Sequence, residues 1–326
     1  MEALVFFLTQ SVRYAVPLLF GTTGEILTEK AGSLNLGVEG TMAVGAIGGC
    51  LIGIWADSLA VGVIAAFLCA ALCGLIFSFL TVSLQANQNV TGLAMTIFGV
   101  GVYQFIGQSL QKKGTFPMVG ERLYAQIRSG GIPLLKDIPV LGDLLFSYNS
   151  LVYFGIIVAI VCWFYLRKTK TGLRVRAIGE NPGAADGVGV NITASKYLNI
   201  IVGSGICGIG GLYMALMINS GVYNDGWING FGWIAIALVI FANWSPAKAL
   251  GGSFVFGLLN SLQANVGSIV SVWPQGLSWM AAIPTDFYQM LPFVITAIIL
   301  IISSITKSKN SASPAALGVN YYREER

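Results

Sequence analysis

The chain has 326 residues, of which 55% are hydrophobic and only 10% charged, and its mean hydropathy is +0.76. A soluble domain carries roughly 25% charged residues, so this composition excludes an ordinary globular enzyme of the cytosol and predicts an all-α, polytopic membrane protein. The net charge of +4 comes mostly from one central polar interval, so it reports membrane orientation and not nucleic-acid binding. Histidine is absent, which removes imidazole-based triads and proton relays. Cys50, Cys69, Cys73, Cys162 and Cys207 all lie in apolar runs and read as packing residues, with no metal or redox site.

In chain order, Ala3 to Leu27 is apolar but carries Gln10, Arg13 and Glu25, with Pro17 midway. It predicts a partly amphipathic, kinked first helix, with Arg13 turned to a partner or an interface because a lone cation is costly in lipid. Glu2 and the lack of a basic lead before Leu4 predict that this segment is retained and not cleaved.

From Gly24 to Gly49 the sequence reads GEILTEKAGSLNLGVEGTMAVGAIGG. Gly32, Gly37 and Gly40 interrupt the helical pattern, and Asn35 and Glu39 set polar groups beside an apolar run, Thr41 to Trp55, that is shorter than the ~20 residues of a full crossing. Unwound backbone at membrane depth must be covered by protein or face a cavity, so a discontinuous helix beside the solute path is predicted, with Asn35 and Glu39 as path residues. Leu59 to Leu84 is a plain span. Ala86 to Leu110 follows, opening on Asn87, Gln88 and Asn89, whose amides suit either a helix cap or the hydroxyls of a solute. Asn87 and Asn89 are carried as path candidates.

Residues 110–150 are less apolar, with Pro117, Pro133 and Pro139. They are placed outside, because a single span, Leu151 to Leu166, separates them from the more strongly basic interval 167–196. That interval contains Arg167, Lys168, Lys170, Arg174, Arg176 and Lys196, and it is assigned to the cytoplasm by the positive-inside rule. Within it, Asn181-Pro182 is a helix start: Asn caps free amides, and Pro at the first position lacks the N–H that would need a partner. Ala184 and Ala185 then form a small face, and Asp186 lies near the positive end of the helix dipole.

Tyr197 to Ile218 is a glycine-rich span suited to close helix packing. Asp225 to Gly230 introduces another short run, Phe231 to Ala242. The pattern of Gly, two residues, Asn and then Gly occurs both from Gly32 to Gly37 and from Gly226 to Gly230, which is the mark of an internally repeated transporter and makes Asn229 a path candidate. Ala247 to Ile269 and Phe287 to Ile305 complete about nine predicted spans, in a range of about 8–10. Asn260, Gln263 and Asn265 lie on the penultimate one, with Asn260 as the sixth path candidate. Lys307 and Lys309 place the tail, 307–326, on the cytoplasmic side. The whole chain is one transmembrane domain.

The run GLRVRAIGENPGAADGVGVN resembles the cytoplasmic loop of permease subunits of bacterial ABC importers for nucleosides and simple sugars, a branch related to branched-chain amino acid and ribose permeases. Gly32 to Gly40 resembles the signature near the start of the same permeases, and NQNVTGLAMTIF continues it; the similarity extends from Leu19 to Leu262. It implies a coupling helix built on Glu180, Asn181, Pro182, Ala184, Ala185 and Asp186, which docks into a groove of an ATPase. It further implies two ATP-binding subunits, a second permease copy or paralogue, an extracellular substrate-binding lipoprotein and a bacterial inner (cytoplasmic) membrane. No Gly-Lys pair and hence no phosphate-binding loop occurs in the chain, so ATP hydrolysis falls to another subunit. No catalytic residues, cofactor or nucleic-acid partner are expected. A secondary transporter or channel shares the spans and broken helices, but offers only Glu25 and Glu39 as interior acids; an intramembrane enzyme lacks a nucleophile with a base. Trp227, Trp233 and Tyr223 near polar amides suit a nucleoside or a hexose.

Overall fold

The computed structural model describes residues 2–128, 130–131, 142–272, 279–280, 282–306 and 313–322. Its regular elements are all helical: α1 (Glu2–Lys30), α2 (Val38–Trp55), α3 (Leu59–Ser78), α4 (Gln88–Lys112), α5 (Glu121–Arg128), α6 (Ser150–Lys168), α7 (Lys170–Glu180), α8 (Pro182–Gly187), α9 (Ile192–Tyr213), α10 (Phe231–Phe241), α11 (Pro246–Val272) and α12 (Thr285–Thr306). Wider π-type turns prolong α3 over Phe79–Ser83 and α9 over Met214–Ile218. The chain is a polytopic α-helical membrane bundle.

Six helices among the described residues are both long and apolar enough to cross a membrane: Leu4–Lys30, Val38–Trp55, Leu59–Ser83, Gln88–Lys112, Ser150–Lys168 and Ile192–Ile218. Phe231–Phe241 and Phe287–Ile298, the apolar part of α12, are shorter apolar helices, and α11 is not among the six; these three correspond to the remaining segments of the predicted nine. The first helix runs continuously from Glu2 to Lys30 with Pro17 inside it.

Buried glycines set the centre of the bundle. A Cβ on Gly211 of α9 would collide with the Met42 carbonyl oxygen of α2, and one on Gly99 of α4 with the Gly40 carbonyl of α2. Only a hydrogen atom fits where these backbones meet, so α2 is held closely on two sides. The window of α9 that crosses is 83% buried and that of α2 78% buried, against 33% for α4 and α6. The outer helices α3, α4 and α6 carry the exposed apolar side chains, among them Ile64, Leu68, Ile97, Phe105 and Phe164, which form the lipid-facing surface.

The two ends of the bundle separate by their hydrogen bonds. At one end Asp57 accepts from the Leu123 amide and Gln126 from the Leu59 amide, tying the α2–α3 turn to α5. At the other end lie the α3–α4 turn, α7, α8 and the tail: Gln85 donates to the Tyr321 carbonyl, and the Ala316 amide to the Gly179 carbonyl. Because α6 joins the ends once, α5 and the α7–α8 pair face opposite sides. The polar interval predicted as a loop over 167–196 is therefore mostly helix, with α6 continuing through Lys168 and α9 beginning at Ile192. Ser129, Pro133 and Pro139 of the interval 110–150, and Lys307 and Lys309 of the tail, lie outside the described residues.

Candidate functional site

The backbone between α1 and α2 leaves the helix at Ala31 and climbs back along α4 as an extended strand of chain. The Leu34 amide donates to Gln88 Oε1 (2.8 Å), and Thr96, two turns higher on α4, donates to the Leu36 carbonyl (2.9 Å). Asn35 Oδ1 accepts from the Gly37 amide (2.9 Å), folding the chain into the start of α2, while the Asn35 amide donates to Glu25 Oε1 (3.1 Å). Helix α2 thus starts inside the bundle, and protein covers most of the unwound segment: Ser33 and Asn35 are 1% and 3% exposed, with Leu34 and Leu36 half-buried.

A second unwound segment approaches from the opposite end. Residues 219–230 return from the end of α9, stacking Tyr223 and Trp227 on Tyr103 of α4 with ring centroids 5.5 and 5.6 Å apart. Asn229 and Gly230 adopt positive φ (45° and 85°), and Gly230 serves as the cap of α10. With 11 residues, α10 spans about 16 Å at 1.5 Å per residue, about half of the ~30 Å hydrocarbon layer. It ends at Phe241, and the indole N–H of Trp244, just beyond, donates to Glu29 near the end of α1.

The two interrupted helices meet at Glu39. This side chain, on the first turn of α2, accepts from the amides of Gly230 (2.8 Å, Oε1) and Gly232 (2.7 Å, Oε2) at the start of α10. A carboxylate between two helix N-termini satisfies amides that have no partner in their own helices and sits in the field of both dipoles. The paired glycine–asparagine patterns of the sequence precede these two helices.

Beside the start of α10 is a cavity of about 390 Å³. Its polar wall is Asn219, Asn229, Asn260, Gln263 and Gln289, and its apolar wall includes Tyr14, Trp227, Phe231, Pro292 and Phe293. Asn260 Nδ2 donates to the Phe256 carbonyl one turn back (2.9 Å), which leaves its Oδ1 to accept at the wall. No charged side chain lines the cavity among the described residues. At the rim of the bundle Asp225 accepts from Tyr223 (2.7 Å) and Gln108 (3.1 Å), and these bonds hold its carboxyl below the ordinary range.

Of the path candidates, Asn229 and Asn260 line this cavity. Asn35 and Glu39 are not in its lining; they bond the backbone at the starts of α2 and α10. Asn87 caps α4 by accepting from the Val90 amide (3.1 Å), and Asn89 is exposed. Sequence reasoning did not single out Tyr14, Asn219 or Gln289. Each lies at the polar end of a segment, near Arg13, Ser220 or Asp286, where a polar side chain carries no distinguishing signal.

The coupling candidates form a compact unit at the end where α7 and α8 lie. Asn181 Oδ1 accepts from the Ala184 amide (3.0 Å), with Pro182 at the first helical position. Ala184 and Ala185 do not share a face: Ala185 is buried against Ile178 and Ile192, and Ala184 points outward. Glu180 accepts from the Ala315 amide (3.4 Å) and Asp186 from the Tyr321 hydroxyl (3.0 Å), so the tail packs on this unit.

A family model described as "Branched-chain amino acid transport system / permease component" matches residues 7–302. The chain is 34% identical to a nucleoside ABC transporter permease of Lactococcus lactis, over 96% of this chain and 95% of that protein. It is 32% identical to a guanosine ABC transporter permease of Bacillus subtilis (96% and 95%) and 32% identical to a putative glucose ABC transporter permease of Haloferax volcanii (97% and 97%). No solved structure matches. With the match covering nearly the whole chain and the bundle built on buried, interrupted helices, this protein belongs to the permease-component family of branched-chain amino acid transport systems, the membrane subunits of ABC transporters.

Proposed function

We propose that this chain is the permease subunit of an ATP-driven importer and that the cavity beside Asn260 passes a neutral polar solute, a nucleoside or a simple sugar. The observation that carries the reading is the lining: five amide side chains with aromatic walls and no charge. Amides pair with ribose or hexose hydroxyls and with base edges, and a ring stacks on the exposed Phe293. An amino acid is a zwitterion and would bring two unmatched charges into this wall, at the high cost of burying a charge without a partner. The names of the nucleoside, guanosine and glucose permeases to which the chain is similar agree with this choice.

Family membership implies ATP-binding subunits and a substrate-binding protein as partners. The finer reading is two ATP-binding subunits, a second copy or paralogue of this permease, and an extracellular lipoprotein, assembled in the bacterial cytoplasmic membrane. The chain itself carries no ATP chemistry. Its part is mechanical: the Asn181–Asp186 unit transmits closure of the motor subunits through α7 and α9 to the helices that bound the cavity, which rock between outward and inward openings.

Membranes containing the complete transporter, assayed for uptake of a labelled nucleoside against unlabelled nucleosides, hexoses and branched-chain amino acids, test the reading. Competition by nucleosides or hexoses, with ATP required, is the expected result. Competition by leucine alone overturns the choice of solute. Transport by the purified permease without any ATPase overturns the importer and leaves a secondary transporter.

A further inference from the structure

Lys196 has no role in the solute cavity or in capping α8, yet it is 5% exposed. Among the described residues no carboxylate pairs with its ammonium and no hydrogen bond engages it. It lies on the wall of a second cavity, of about 560 Å³, enclosed by the start of α9, the α3–α4 turn and the tail. Thr81, Gln85, Thr193, Asn320 and Tyr321 supply the rest of its polar wall. Most of the side chain is buried while the ammonium opens onto the cavity, so an anion in the cavity supplies the opposite charge that the described residues do not.

We propose that this cavity binds a phosphate-bearing monoanion through Lys196, with the phosphodiester headgroup of an anionic lipid of the inner leaflet as its source. Three features select that chemistry. The wall also contains Asp186, whose carboxylate accepts from Tyr321 (3.0 Å); one cation and one carboxylate suit a single negative charge better than a dianion. Thr193, Asn320 and Tyr321 add hydroxyl and amide groups to the wall, which suit the hydroxyls of a glycerol headgroup, and Gln85 holds that wall in place by donating to the Tyr321 carbonyl. The flanks are lipid-facing, with exposed Phe79, Leu84 and Leu198 beside the Ser83–Tyr197 hydroxyl pair (2.5 Å), so acyl chains have an apolar surface next to the headgroup. The site also lies at the basic end of the bundle, where anionic lipid concentrates. Because the tail forms one wall through Asn320 and Tyr321, a bound headgroup fixes the tail against α8.

The test is thermal denaturation of the purified transporter complex, stripped of lipid and titrated separately with dioctanoyl phosphatidylglycerol, dioctanoyl phosphatidylcholine and inorganic phosphate. The lipid source predicts a rise in Tm of a few degrees with the glycerol lipid and none with the choline lipid or phosphate. The Lys196→Gln complex should lose that rise, and Lys196→Arg should keep it. Without lipid, Lys196→Gln should melt close to the wild type, since the charge it removes has no carboxylate partner among the described residues. A Lys196-dependent rise with phosphate as well assigns the site to a free anion. Equal responses of wild type and Lys196→Gln, or no response to either anion, overturn the proposal. If Lys196→Gln does not assemble, Thr193→Val takes its place, and an unchanged phosphatidylglycerol response in that variant counts against the site.

Discussion

Glu39 on the first turn of α2 accepts a 2.7 Å hydrogen bond from the backbone amide of Gly232 on the first turn of α10, joining two helices that begin inside the bundle from opposite directions. The second oxygen takes the Gly230 amide (2.8 Å). A Cβ on Gly232 would overlap the Glu39 backbone, so the approach depends on glycine there.

Replacing Glu39 with Gln keeps the length and one acceptor but sets an amide NH₂ against a backbone N–H. The loss of one charge-assisted bond is worth about 1.5–3 kcal/mol. Glu39→Gln is expected to lower the Tm of the assembled complex and to reduce the uptake rate, with Glu39→Asp intermediate. Unchanged Tm and unchanged uptake in both variants would remove Glu39 from the link between the two helices.

Asn260 tests the solute cavity. Asn260→Leu removes an acceptor from the wall without a change of charge, and one neutral hydrogen bond is worth about 0.5–1.5 kcal/mol, or roughly 2-fold to 10-fold in affinity. Apparent affinity in uptake is expected to weaken by that factor while the amount of assembled complex stays constant. Asn89→Leu, at an exposed position outside the cavity, is the control that should transport normally.

Gly211 tests the packing of α9 on α2. Enlarging it to Val forces a side chain onto the Met42 carbonyl, in a place where both backbones are buried. Overpacking of this kind costs about 1–3 kcal/mol, and more where backbone must move. The expected outcome is loss of folded protein from the membrane, read by fluorescence-detected size exclusion. Gly101→Val, with open space at its Cβ, should leave the profile unchanged.

The neighbouring alanines of α8 are expected to separate two effects that a single substitution would confuse. Ala184→Trp enlarges an outward face and should weaken ATPase co-purification by roughly 5-fold to 150-fold, equivalent to about 1–3 kcal/mol, with the permease still folded. Ala185→Trp drives a ring between Ile178 and Ile192 and should unfold the unit itself, seen as protease cleavage between α7 and α9. Equal ATPase recovery from Ala184→Trp and wild type would take α8 out of the motor contact.

Orientation is checked by single cysteines at the exposed positions Lys113 and Lys170 in a background with all five native cysteines replaced. An impermeant maleimide added outside intact cells is expected to label the Lys113→Cys protein and to leave Lys170→Cys unlabelled until the cells are opened. Labelling of both from outside would overturn the topology.

The sequence by itself determined the class of the protein, the identity of its broken segments and the start of α8. The reason is that these depend on local chemistry. An apolar run without charges has one stable solvent, glycine between polar residues ends a helix, and Asn181-Pro182 starts one whatever surrounds it. The sequence also placed Asn229 and Asn260 among the candidates, because a polar side chain in an apolar helix needs a partner. Tertiary structure alone decided which of those polar groups face one another. The sequence shows Glu39 only as a polar group beside an interrupted helix, and it is the fold that brings two amides of α10 to it; Ala184 and Ala185 read as one face until Ile178 and Ile192 close over one of them. Lys196 reads as one more basic residue in a cytoplasmic interval, and only the fold of the α3–α4 turn and the tail around it leaves it buried and unpaired. Each depends on contacts between residues far apart in the chain, which no periodicity or local motif encodes.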